Sequence, residues 1–178
     1  MSLDVYLEGP EPVKYEGSGI FVREGGQTIE ITEEEWSLRN PGREPVRAVA
    51  KEESNTIYSA NITHNLANMA REAGVYEALW RPAELDPSRA ARIREQEKLN
   101  NYHEAGGVYE IEREAQTYAR DLIQPLRDGL ALLQSAPERF EEFNPENGWG
   151  DYLGLCEFIA GYLAACTSHP NTIVRVWR

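Results

Sequence analysis

Tyr58-Ser59-Ala60-Asn61-Ile62-Thr63-His64-Asn65-Leu66 is the stretch on which the fold turns. Thr56-Ile57-Tyr58 at its start is β-prone, whereas Ile62, Leu66, Met69, Ala70 and Ala73 fall at helical spacing and Gly74 stands where a C-terminal cap is expected. A strand that hands over directly to a helix predicts a mixed architecture, with Asn61 as the N-cap. Two Asn, two hydroxyl residues and one His crowd onto the junction. A helix N-terminus offers unpaired N–H groups and a partial positive charge, so these neutral groups would orient a polar or anionic ligand there.

Upstream, Leu3, Val5 and Leu7 alternate with Asp4, Tyr6 and Glu8 until Gly9-Pro10, which predicts a half-buried strand. Ile20 and Val22 face Ile29 and Ile31 across Gly25-Gly26, a hairpin signature. Thr32-Glu33-Glu34-Glu35 has capping-box spacing ahead of Trp36 and Leu38, and Asn40-Pro41-Gly42 limits that segment to a short helical turn. Val46, Ala48 and Ala50 alternate, so two more strands are expected on either side of Glu52-Glu53-Ser54-Asn55.

Downstream, one more turn is expected from Val75 to Trp80, and Asp86-Pro87 opens a helix by an N-cap followed by proline. Pro87–Ala105 is mostly charged, with Ile93, Leu99 and Tyr102 its apolar contacts, and reads as a solvated helix or an insertion at the core's edge. Ile111, Ala115, Tyr118, Leu122, Leu126 and Leu133 lie on one long apolar stripe that Pro125 should kink or divide. Trp149, Tyr152, Leu153, Cys156, Ile159 and Leu163 predict a last helix, and Ile173–Trp177 a closing strand. The expectation is an α+β chain forming one domain over residues 1–178. Its small, mostly antiparallel sheet includes both chain termini and packs against three to five helices, with elaborations at about 10–55 and 87–105.

The chain has 178 residues, of which 41% are hydrophobic, enough for a core without disulfides. Thirty acidic residues against 18 basic ones give a net charge of −12, which repels phosphates at long range and disfavours generic nucleic-acid binding or an anionic membrane surface. Cys156 and Cys166 would lie about 15 Å apart along one helix and read as buried small apolar groups in a reducing compartment. Met1–Val5 lacks the basic start of a signal peptide and no apolar run spans a membrane, so a cytoplasmic location is expected.

The opening stretch, Leu79-Trp80-Arg81-Pro82, Asn147-Gly148-Trp149-Gly150 with Tyr152, and Val174-Arg175-Val176 together resemble a family of uncharacterised small proteins of phage and bacterial genomes. The resemblance covers Met1–Leu7 and most of Tyr58–Arg178. It implies a phage or bacterial cytoplasmic setting and draws attention to Asn61, His64, Asn65, Arg81, Asn147 and Trp149, without an activity attached.

His64 is the residue type suited to act as a proton donor or acceptor. With Asn61 as the cap, His64, Asn65, Asn68 and Arg71 would form a polar stripe opposite Leu66, Met69 and Ala73. The amides of Asn144–Gly150 beside Trp149 suit stacking and hydrogen bonding to a base or sugar; both as a ligand group and as the start of the last helix, the Trp149 ring is expected to be buried. His64, His103 and His169 share no ligand spacing, so no metal is expected. Gly17-Ser18-Gly19 and Gly106-Gly107 lack the Lys and spacing of a phosphate loop, so no nucleotide cofactor is expected. Ser59 has no Gly-x-Ser-x-Gly elbow and Cys156 falls on an apolar face, which leaves catalysis open.

The function expected is an accessory protein that binds a polar small molecule of the nucleotide or nucleotide-derived kind through Asn61, His64, Asn65, Arg81, Asn147 and Trp149. The alternative is an acidic protein that blocks a host or defence protein, including by imitating nucleic acid, through Glu33–Glu35 or Pro87–Ala105. Oligomeric state is left open.

Overall fold

Leu3, Val5 and Leu7 point to one side of a strand whose neighbours supply matching apolar faces, and this makes the first strand the middle of the main sheet. The structure, a computed structural model, describes residues 2–10, 17–24, 27–47 and 55–178. Strand β1 (Ser2–Glu8) is flanked by β4 (Thr56–Thr63) and β5 (Ile173–Trp177), antiparallel on both sides in the order β4-β1-β5. Asp4 lies opposite Asn61 on one side and Trp177 on the other. The two terminal strands therefore share one sheet, and the chain is α+β.

Between β4 and β5 come a 3-10 turn (His64–Leu66), α2 (Ala67–Glu72), α3 (Tyr76–Trp80), a second 3-10 turn (Pro82–Leu85), α4 (Pro87–Lys98), α5 (Val108–Glu114), α6 (Ala119–Ser135), α7 (Pro137–Glu141) and α8 (Tyr152–Ser168). The core joins Leu3, Val5 and Leu7 to Leu79, Leu122 and Ile159, all with no exposed surface. Each such side chain contributes about 1.5–3 kcal/mol of burial. At the crossing of α6 with the turn after α2, a Cβ on Gly129 would stand 1.9 Å from Val75 Cγ1, so only glycine lets the backbones approach this closely. A smaller cluster of Ala83, Ile93, Val108, Ile111 and Ala115 ties α4 to α5. The charged helix thus buries one apolar contact, Ile93, completely.

Two readings of the helices change. The long apolar stripe is broken at Ala115–Tyr118, and α6 runs undivided past Pro125. The physical reason is a competing partner: Thr117 O accepts from Val174 N–H and Thr172 O accepts from Ala119 N–H, so this segment extends along β5. In α8 the buried line is Tyr152, Leu155, Ile159, Tyr162 and Cys166, while Leu153 is 64% exposed.

Residues 11–55 form a second compact unit. In it β2 (Ile20–Glu24) and β3 (Gln27–Ile31) pair as an antiparallel hairpin, followed by α1 (Glu33–Arg39), whose Thr32 and Glu35 make the expected capping box. Arg47 bridges to Ile20 and ion-pairs with Glu33 at 2.7 Å. The Gly25-Gly26 turn, the strand read over Ala48 and Ala50, and the Glu52-Glu53-Ser54 turn lie outside the described residues.

Candidate functional site

The junction at Tyr58–Leu66 folds differently from the expectation. Asn61 is no helix cap: β4 continues to Thr63, because Asn61 and Thr63 still face β1 residues Asp4 and Ser2. The helix can begin only where the ladder stops. Thr63 then caps, its Oγ1 accepting from Asn65 N–H at 3.3 Å, and Asn61 Nδ2 donates to Asp4 Oδ1 at 2.5 Å across the strands. His64 Nε2 lies 2.7 Å from the Ser2 carbonyl. A carbonyl only accepts, so Nε2 carries the proton and the ring fastens the start of β1. Its other contact is edge-on to Trp80, with ring centroids 6.1 Å apart.

His64, Asn65, Asn68, Glu146 and Asn147 line a shallow cleft of about 540 Å³. Asn65 Nδ2 reaches both Asn147 Oδ1 and the Trp149 carbonyl at 3.4 Å, and Trp149 N–H donates to Asn147 Oδ1 at 3.0 Å. Four of the sequence-selected residues, His64, Asn65, Asn147 and Trp149, therefore come together. Asn61 and Arg81 do not join them. Contrary to expectation the Trp149 ring is 71% exposed. Helix α8 starts only at Tyr152, capped by Asp151 Oδ1 on Gly154 N–H at 2.7 Å, and Tyr152 takes the core position, donating to the Leu133 carbonyl at 3.1 Å.

Arg81 belongs to another cleft of about 550 Å³. Its apolar walls are Trp80, Pro82, Ala83, Val174, Val176 and Trp177, and its rim carries Arg81, Arg113, Arg175 and Arg178 against Glu8 and Glu112. Arg81 ion-pairs with Glu84 and, at 2.5 Å, with Glu97. Burial pulls the Arg81 pKa down, but the Glu97 hydrogen bond and the fields of Glu84, Glu97 and Glu112 outweigh it and the net direction is upward. Burial pushes the Glu84 carboxyl up, and the Arg81 charge only partly opposes this. Arg178 is held by Glu112. Arg175 reaches Glu8 at 3.4 Å and the carbonyls of Arg113 and Ala115 at 3.2 and 3.4 Å.

Comparison with family models, with curated proteins and with solved structures found no match for this chain. The phage or bacterial setting thus rests on the sequence resemblance alone.

Arg113, Arg175, Arg178 and Trp177 were not singled out from the sequence. A signal was present, since Val174-Arg175-Val176-Trp177-Arg178 sets one arginine within an otherwise apolar strand and a second directly after it. The Arg113 guanidinium has no hydrogen bond or ion pair among the described residues, and the Trp80 Nε1–H, on a ring 1% exposed, is buried without a partner. Neither thiol is primed for attack: burial raises the Cys156 pKa and pushes Cys166 up to about 12. Among the described residues no group of three or more His, Cys, Asp or Glu could hold a metal, and no helix is long and apolar enough to cross a membrane.

Proposed function

We propose that this protein binds an anionic small molecule with a flat apolar body, a nucleotide being one such chemistry, in the cleft between Trp80, Arg113 and β5. The observation that carries the reading is Arg113, an arginine without an acidic partner at the mouth of an apolar-walled cleft. Ligand sites combine apolar walls of a few hundred Å³ with a small number of placed polar groups, and a guanidinium presents a fork that fits carboxylate and phosphate oxygens. Arg81, Arg175 and Arg178 are each engaged by carboxylates, so among the described residues of this lining the charge left to draw an anion is that of Arg113. Free Cys156 and Cys166 suit the reducing cytoplasm of a bacterial or phage-infected cell, the setting that the resemblance implies.

The test is a thermal-shift titration with nucleoside monophosphates and aromatic carboxylates on the wild type and on Arg113→Ala. A ligand that binds only the native state raises the melting temperature. The wild type should respond. Arg113→Ala should lose that response while melting, without ligand, within about 0.5 kcal/mol of the parent, because the side chain it removes is an exposed one. A response that survives the substitution would move the site elsewhere.

A further inference from the structure

The amide cleft differs from the arginine cleft in a way that selects a different ligand. Two residues in left-handed backbone conformation, Gly148 at φ +70 and Gly150 at φ +89, flank Trp149. A Cβ at position 150 would stand 2.6 Å from Thr63 Cγ2 and 3.0 Å from Leu66 Cδ1, so the loop is pressed onto the β4–α2 junction. The Trp149 backbone is bonded on both sides, through N–H to Asn147 and through C=O to Asn65. The Trp149 ring, 71% exposed, thus stands on a fastened loop whose two anchoring asparagines both line the cleft. An exposed indole on a fastened loop offers a flat apolar face on which a ligand can stack.

The free polar groups of the cleft are mixed. Asn65 Oδ1 and the Glu146 carboxylate are acceptors; Asn68 Nδ2 and Asn147 Nδ2 are donors. None of these four has a partner among the described residues, whereas Asn68 Oδ1 accepts from Arg71 at 3.1 Å. Arg71 itself lies over the Tyr76 ring, 3.8 Å from its centroid, which leaves Glu146 as the one charged group of the lining. That charge is negative and opposes a phosphate. Hydroxyls both donate and accept, so a lining of amides with one carboxylate matches a polyol, and the electron-rich indole face accepts the C–H face of a sugar ring.

We propose that the cleft of His64, Asn65, Asn68, Glu146 and Asn147, together with Trp149 on the loop that Asn65 and Asn147 anchor, is a recognition site for a neutral saccharide. It is separate from the anion cleft and does not depend on it. The sugar ring stacks on Trp149 while its hydroxyls bond Asn65, Asn68, Asn147 and Glu146.

The experiment titrates the full chain with cello-, malto-, xylo- and chito-oligosaccharides, and in parallel with AMP, following protein-detected NMR shifts. At least one oligosaccharide should shift residues of the cleft, with affinity falling tenfold or more in Trp149→Ala and in Asn147→Ala, and with no change in Arg113→Ala. Trp149→Ala should fold as the parent does, since the ring it removes is exposed. No cleft response to any of these four series, a saccharide response that survives Trp149→Ala, or a Trp149-dependent response to AMP in place of sugars would each overturn the proposal. Loss of AMP binding in Arg113→Ala alone bears on the arginine cleft and leaves this one standing.

Discussion

The arginine cleft and the amide cleft have nearly the same volume, about 550 and 540 Å³, yet one is walled by Trp80, Val174, Val176 and Trp177 under a rim of arginines and the other by asparagines around a single glutamate. Size therefore says little about what each accepts; the balance of charge and the nature of the walls say more. A ligand of the first would bring a flat body out of water onto an apolar wall and a charge to a guanidinium. A ligand of the second would be selected by neutral donors and acceptors. Trp80 lines the first and reaches the second only indirectly, as the edge-on neighbour of His64.

Trp80 gives the largest expected effect. Trp80→Ala should cost about 3–5 kcal/mol, as for other buried aromatic truncations, measured by urea unfolding, and should impair the arginine cleft, whose wall it removes, more than the amide cleft. Unchanged stability, or equal losses of binding in the two clefts, would show that the ring is not a wall of the first alone.

Gly150→Ala should come next, at about 1–3 kcal/mol for a non-glycine residue forced into a left-handed conformation. Because the added methyl meets Thr63 and Leu66, the loop carrying Trp149 must shift. Saccharide binding should fall with stability, and binding in the arginine cleft should not. Unchanged melting would show that the loop is less tightly seated than its contacts indicate.

The smallest effect separates the clefts by pH. Burial raises the Glu84 pKa from its ordinary 4.5, so the folded state favours the protonated carboxyl. The stability this supplies is full below the ordinary value and is lost as pH rises through the raised one. Glu84→Gln, which mimics the protonated form, should flatten the stability profile just above pH 4.5 and leave the amide cleft untouched. A mutant that loses more stability at neutral pH than in acid would show that attraction to Arg81 outweighs the cost of burying the charge.

Where the sequence carries a local signal, fold and sequence agree. The alternation of Leu3, Val5 and Leu7 specifies one buried face, and Thr32 with Glu35 specifies a cap, because each depends on residues within a few positions. Asn61 was misread because its strand partner Asp4 lies 57 positions away; seen locally, an Asn before an apolar helical period looks like a cap. The α8 face was ambiguous for a different reason. With Glu157 its one charged residue, the helix is apolar almost all round, so the pattern does not say that Leu153 faces out and Leu155 in. Part of the amide cleft was legible, since His64, Asn65 and Asn147 stood out as polar groups. Of the arginine cleft only Arg81 was, because Arg113, Arg175 and Arg178 come from distant parts of the chain and look ordinary until the fold brings them together.

The position of β1 between β4 and β5 also imposes an order of events. During synthesis, the strand that becomes the middle of the sheet leaves the ribosome first and can find β4 once Thr63 has followed. Its other edge waits for β5, as the pairing of Glu8 with Arg175, 167 positions apart, makes plain. Until then, unpaired N–H and C=O groups beside an apolar face are a template for strands of other chains. The arginine cleft, having Val174, Val176 and Trp177 in its wall, is completed only when β5 docks, so a nascent chain short of these residues lacks that wall.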